Sequence, residues 1–121
     1  MAEFHLIKNV AQGLFEYTAC QELGEGDILF IEFNKEVTID DIALKKSDGS
    51  TPFNIFFLYP ASGQEGYLIN NTSIPNEWFL NGAQNNAGKR WYHLPARTKL
   101  AIQRLASSYT VVHLTVLGRS G

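Results

Sequence analysis

The 121-residue chain predicts an all-β fold, an antiparallel two-sheet sandwich or jelly-roll-like arrangement of about eight strands. Three observations carry that expectation. Short bursts of period-two alternation recur along the chain, turn residues separate them, and no long amphipathic segment could serve as the crossover helix of a parallel sheet.

The first 26 residues are ambiguous. Phe15, Tyr17 and Ala19 alternate like a strand, while Phe4, Ile7, Ala11 and Leu14 fit a helical spacing equally well. They read as an N-terminal arm or edge strand, with residues 27–121 forming the sandwich proper and nothing marking a second domain. From Asp27 to Phe33 the run is apolar on both faces, which predicts a central strand buried on both sides. Val37 and Ile39, then Ile42 and Leu44, continue the alternation until Ser47-Asp48-Gly49-Ser50, where Asp-Gly supplies the positive φ of a tight turn. Asn54 to Tyr59 is again apolar on both faces and is closed by Pro60, which cannot donate to a ladder.

Between Ala61 and Lys89 the chain reads as looser, with apolar islands at Tyr67-Leu68-Ile69 and Trp78-Phe79-Leu80. Asn70 to Ser73 reads as loop, and the uncharged stretch Asn81 to Gly88 as a long loop of the kind that often carries function. Arg90 to Leu94 is a strand candidate closed by Pro95. Thr98 to Arg104 places Leu100 and Ile102 inward; a short helix capped by Thr98 is the alternative, and strand is preferred because a hairpin partner follows. That partner, Tyr109 to Leu117, is the longest β-branched run in the chain.

Composition limits the function classes. A chain of this length buries about two-thirds of the surface it exposes when unfolded. At 45% hydrophobic and 18% charged it is globular, and its aromatic share of 12% suits a surface partly covered by neighbours. Residues 1–48 hold ten acids and four bases, whereas residues 49–121 hold two acids and six bases, giving −6 and +4 and a net −2. This polarity predicts either faces of opposite sign suited to docking on copies of itself or a larger assembly, or an interleaved fold that mixes the charges. A sequence pI of 5.9 argues against nucleic acid as a partner. No apolar run is long enough to cross a bilayer, and the start Met-Ala-Glu-Phe-His lacks a signal peptide's pattern, so a cytoplasmic origin without membrane partners is expected.

Chemistry is sparse. The single cysteine, Cys20, excludes an internal disulfide and is expected as a small buried hydrophobe. His5, His93 and His113 are scattered, and His113 reads as a core or interface histidine. Asp40, Asp41 and Asp48 lack the spacing of a calcium loop, so neither metal nor other cofactor is expected. Gly24-Glu25-Gly26-Asp27 is acidic and would repel a phosphate. Glu16 and Glu32 would make a glycosidase pair only if they faced one cleft. The chain is therefore expected to be non-enzymatic.

Candidate interface or ligand residues are Trp78, Trp91, Tyr92, Arg90, Arg97, Lys99 and Arg104. Aromatics beside amides and arginine suit either the centre of a protein interface or stacking on sugar rings. Arg97, Lys99 and Arg104 are expected to share one face as a basic stripe.

The acidic start through Asp27 to Phe33, the Asp48-Gly49 turn and the ending Tyr109 to Gly118 resemble the small β-sandwich virion proteins of tailed bacteriophages, particularly capsid decoration proteins. That resemblance implies a structural role at the virion surface, with homo-oligomers (a trimer is the expected state) docking on a protein shell such as a major capsid protein. A carbohydrate-binding module using Trp78, Trp91 and Tyr92, with glycans as partners, is the alternative.

Overall fold

Alternation and turn chemistry resolve into ten strands over residues 1–81 and 92–121, which this computed structural model describes. In chain order they are β1 (Glu3–Lys8), β2 (Gly13–Leu23), β3 (Ile28–Phe33), β4 (Val37–Lys45), β5 (Thr51–Leu58), β6 (Glu65–Ile74), β7 (Glu77–Asn81), β8 (Tyr92–Leu94), β9 (Lys99–Arg104) and β10 (Thr110–Ser120). The first sheet has the order β1-β3-β9-β5-β6; the second runs β2-β10-β4-β7, with β8 also pairing β4.

The two-sheet sandwich is the expected one, with more strands than eight among the described residues. The two extra strands arise in the first 26 residues, and one strand runs longer than expected at Asn70 to Ser73. The first 26 residues give one strand to each sheet, β1 to the first and β2 to the second. The supposed loop Asn70 to Ser73 lies inside β6, where Asn71 takes a φ of 47° and its amide donates to Asn54 Oδ1 at 2.7 Å. A register shift in the β5–β6 ladder accommodates this kink, so polar residues continue a strand instead of ending it. The pairing is antiparallel except between β1 and β3, which run parallel. The chain leaves the first sheet after β1, makes β2 in the second, and returns in its original direction.

The core lies between the sheets. Leu29, Ile31 and Phe33 of β3, Phe53, Ile55 and Phe57 of β5, and Leu100 and Ile102 of β9 face Ile39, Ile42 and Leu44 of β4 and Val112, Leu114 and Val116 of β10. Each is at most 1% exposed, so each side chain contributes roughly 1.5–3 kcal/mol of transfer free energy. Phe15, Tyr17 and Ala19 of β2 pack on this core only partly, as befits an edge. β4 bulges at Asp40, opposite the Leu117–Gly118 step of β10, and the close approach there requires glycine: a Cβ at Gly118 would stand 2.6 Å from the Thr38 carbonyl oxygen and 2.7 Å from the Phe15 ring.

Candidate interaction surfaces

Edge-to-edge registers place a row of side chains across the outer face of the first sheet. His5 stands opposite Phe30, Phe30 opposite Ala101, Ala101 opposite Phe56, and Phe56 opposite Tyr67. His5 stacks on Phe30 with ring centroids 4.8 Å apart, and Phe56 meets Tyr67 at 5.0 Å. These pairs roof Ala101, which has no exposure although it points away from the main core. Ile28, Phe30, Phe56 and Leu58 complete this second apolar cluster. Tyr67 and Ile7 remain open to solvent, at 41% and 61%.

A charged row flanks the aromatic one: Ile7, Glu32, Lys99, Leu58 and Glu65 are successive partners across the same five strands. The Lys99 ammonium lies 5.4 Å from the Phe30 ring centroid, adding a cation–π contact to the cluster's roof. Arg97, exposed and at a φ of 69°, joins Lys99, Glu32, Tyr59 and Leu58 around a shallow depression of about 280 Å³. The outer face of the first sheet is thus apolar in the middle with a polar rim, the distribution of a protein-binding patch.

The expected basic stripe divides. Arg97 and Lys99 come together, but Arg104 is 1% exposed and turns into the interior, because it shares parity with Leu100 and Ile102. Its guanidinium pairs with Asp48 and donates to the Ser107 and Ser108 carbonyls at 2.9 and 3.1 Å. Lys46 Nζ meets Asp48 Oδ1 at 2.7 Å, also donates to the Gly49 carbonyl, and lies on the opposite carboxylate oxygen from Arg104. Burial would push the Asp48 carboxyl up, yet hydrogen bonds from Lys46, Thr51 and Arg104 and the charge of Lys46 outweigh it and hold it at about 2. This cluster locks the Asp48-Gly49 turn, with Gly49 at a φ of 77°, to the end of β9. Its groups are used up on one another, which makes it architecture.

Trp78 and Tyr92 also turn inward. Both are half-buried against the main core, and the Tyr92 ring lies 5.5 Å from that of Phe57. Phe79, between the inward Trp78 and Leu80, is the outward aromatic of β7 at 58% exposure. Arg90 and Trp91 fall outside the described residues, as does most of the loop Asn81 to Gly88.

The charge polarity along the sequence does not survive as opposed faces among the described residues. Asp48 meets Arg104, Asp40 meets Arg119 at 3.2 Å, and Glu32 stands beside Lys99, each pair joining the acidic half to the basic half.

Among the described residues, the carboxylate and cysteine–histidine pairings considered from the sequence are not assembled. Glu16 projects from the outer face of the second sheet and Glu32 from that of the first, so the sandwich separates them. Cys20 is exposed, contrary to its expected burial, because it shares the outward parity of Glu16 and Thr18. It stands opposite His113, also exposed, yet no hydrogen bond joins the pair or orients the imidazole among the described residues. His93 Nδ1 lies 2.9 Å from Thr38 Oγ1. No group of three or more His, Cys, Asp or Glu side chains among the described residues could hold a metal ion. Among the described residues no helix is long and apolar enough to cross a membrane.

No protein-family model and no curated protein matches the chain. Solved structures that share its architecture include the following two. One is the periplasmic g-type lysozyme inhibitor PliG of Aeromonas hydrophila, with a TM-score of 0.52 and 14% identity over 97% of each chain. The other is an acid-stable capsid structure of the Helicobacter pylori bacteriophage KHP30, with a TM-score of 0.52 and 9% identity over 93% of this chain and 92% of that one. At these identities the likeness is one of fold.

Proposed function

We propose that this chain is a non-enzymatic structural protein of a bacteriophage virion surface, a decoration-type component that self-associates and docks on a protein shell. The observation that carries the reading is the aromatic row from His5 to Tyr67, with its apolar middle and its rim of Glu32, Arg97 and Lys99. Such a face binds another protein by covering the open side chains of His5, Ile7 and Tyr67 around a prepacked centre while the rim sets orientation. The fold shared with a phage capsid structure along nearly the whole chain supports the same reading. A shell offers many identical sites, so modest affinity per copy stabilises the lattice by mass action. The carbohydrate alternative is weaker, because Trp78 and Tyr92 pack on the core instead of forming a stacking platform.

The test is density-gradient sedimentation of lysates in which the chain is made together with its genomic neighbours. It is expected in the particle fraction, and Tyr67→Asp is expected to release it while Phe79→Asp, on the other sheet, does not. Recovery in the slow-sedimenting fraction alone would overturn the reading. So would equal release by both variants, or potent inhibition of a g-type lysozyme without any particle association.

A further inference from the structure

We propose that two copies of this chain pair antiparallel along β2, fusing their second sheets across a two-fold axis at Thr18. This deepens the self-association part of the preceding reading and does not depend on a shell. The pairing is dimeric, where the sequence resemblance implies a trimer.

The argument begins with edges. A sheet edge presents unpaired backbone N–H and C=O groups, and stable proteins shorten, kink or charge such strands. Three of the four edges here are treated in that way. β1 has six residues and carries Lys8, β6 is kinked at Asn71, and the far side of β4 is divided between the short β7 and β8. β2 is neither short nor kinked, and its only charged side chains are the acids Glu16 and Glu22. It has eleven residues, pairs with β10 without a register shift, and contains neither proline nor a basic residue. Among the described residues it pairs with β10 alone. Its inward side chains Phe15, Tyr17, Ala19 and Gln21 remain partly open, whereas Val112, Leu114 and Val116 of the adjacent β10 are sealed.

The sequence of β2 is complementary to itself when the whole strand overlaps. Overlap of the whole strand, Gly13 against Leu23, puts Thr18 opposite its own copy. On the outer face Leu14 then meets Glu22, and Glu16 meets Cys20. On the inner face Phe15 meets Gln21 and Tyr17 meets Ala19, each large ring opposite a smaller or slimmer side chain. A shift that centres the axis on Ala19 would set Glu16 against Glu22 twice, and like charges directly opposite are destabilising. The register with the greatest overlap is therefore also free of that repulsion. An isologous contact of this kind closes on itself, leaving no second copy of the edge to propagate a fibre.

Sedimentation equilibrium of the wild-type chain is expected to give twice the 13.6 kDa mass of one chain. Thr18→Lys places two ammonium groups across the axis on an exposed face, and is expected to weaken the dimer about tenfold or more, a change of roughly 1.4 kcal/mol. Register is read by cysteine trapping in a Cys20→Ser background. Thr18→Cys should give a disulfide-linked dimer on mild oxidation. Leu14→Cys should not, because its two thiols would lie about 27 Å apart, eight residues along a strand. A wild-type monomer at the highest soluble concentration, or cross-linking of Leu14→Cys as fast as Thr18→Cys, would overturn the pairing. A dimer that never joins particles would uphold the pairing and refute the shell reading; a particle-bound chain that is monomeric in solution would do the reverse.

Discussion

The first sheet packs apolar side chains on both sides through its middle strands, whereas the second packs them only on its inner side and leaves Leu14, Phe79, Val111 and Leu117 exposed on its outer face. In β3 and β5 nearly every side chain is buried or half-buried, while β10 alternates between sealed and exposed positions from Thr110 to Leu117. Both inner faces meet in one core, so the contrast lies outside. The first sheet supports a second cluster around Ala101 beneath the His5 to Tyr67 row; the second sheet presents Glu16, Thr18, Cys20, His113 and Lys45 to solvent. One sandwich thus has one outer face that carries a packed apolar cluster and one whose outward side chains stand singly in solvent. The same asymmetry holds for its ion pairs: Asp48, Lys46 and Arg104 are buried where the chain crosses from β4 to β5, whereas Arg119 and Asp40 keep 43% and 21% of their side-chain surface.

The ion-pair contrast is broken most forcefully at Asp48. Asp48→Ala leaves the Lys46 and Arg104 side chains, 0% and 1% exposed, without their shared anion. Stranding a buried charge costs about 3–5 kcal/mol, whereas Asp40→Ala at the exposed pair should cost less than about 1 kcal/mol. Urea unfolding of the two variants measures both, and equal losses would erase the distinction. The face contrast is tested next. Phe56→Ala removes a ring that is 4% exposed and is expected to cost about 3 kcal/mol, although Phe56 lies outside the main core. Phe79→Ala, 58% exposed on the second sheet, should stay within about 0.5 kcal/mol. A small loss at Phe56 would mean that the outer cluster is not a packed unit.

What the sequence made legible follows the same division. β3, β5 and β10 were readable because continuous apolar runs and β-branched alternation are local signals, and strands buried on both faces read as the former. Parity was also available locally, and would have served further than it was taken. Arg104 shares the parity of Leu100 and Ile102, Trp78 that of Leu80, and Cys20 that of Thr18, which fixes the first two inward and the third outward. Grouping Arg104 with Arg97 and Lys99 by charge overrode that rule. The row from His5 to Tyr67 had no local signature. It depends on which strands pair and in what register, including the parallel β1–β3 ladder, and those choices are made by long-range packing.

The buried ion cluster also gives the fold an acid limit. In the unfolded chain Asp48 titrates at its ordinary 3.8, and in the folded protein at about 2. A carboxyl depressed in this way stabilises the fold above its unfolded value, and that contribution disappears as pH falls through the folded value. This depression from 3.8 to about 2 corresponds to roughly 2 kcal/mol lost between about pH 4 and pH 2. Asp27 is shifted in the same direction by hydrogen bonds from the Gly24 and Ala2 amides, so wild-type acid unfolding is not due to Asp48 alone. The contribution of Asp48 is isolated by Asp48→Asn, which keeps the shape of the turn but cannot titrate. Its stability should start lower at neutral pH and decline less steeply below pH 4 than that of the wild type. Parallel acid limbs for the two proteins would show that the Lys46–Asp48–Arg104 cluster does not set the acid limit.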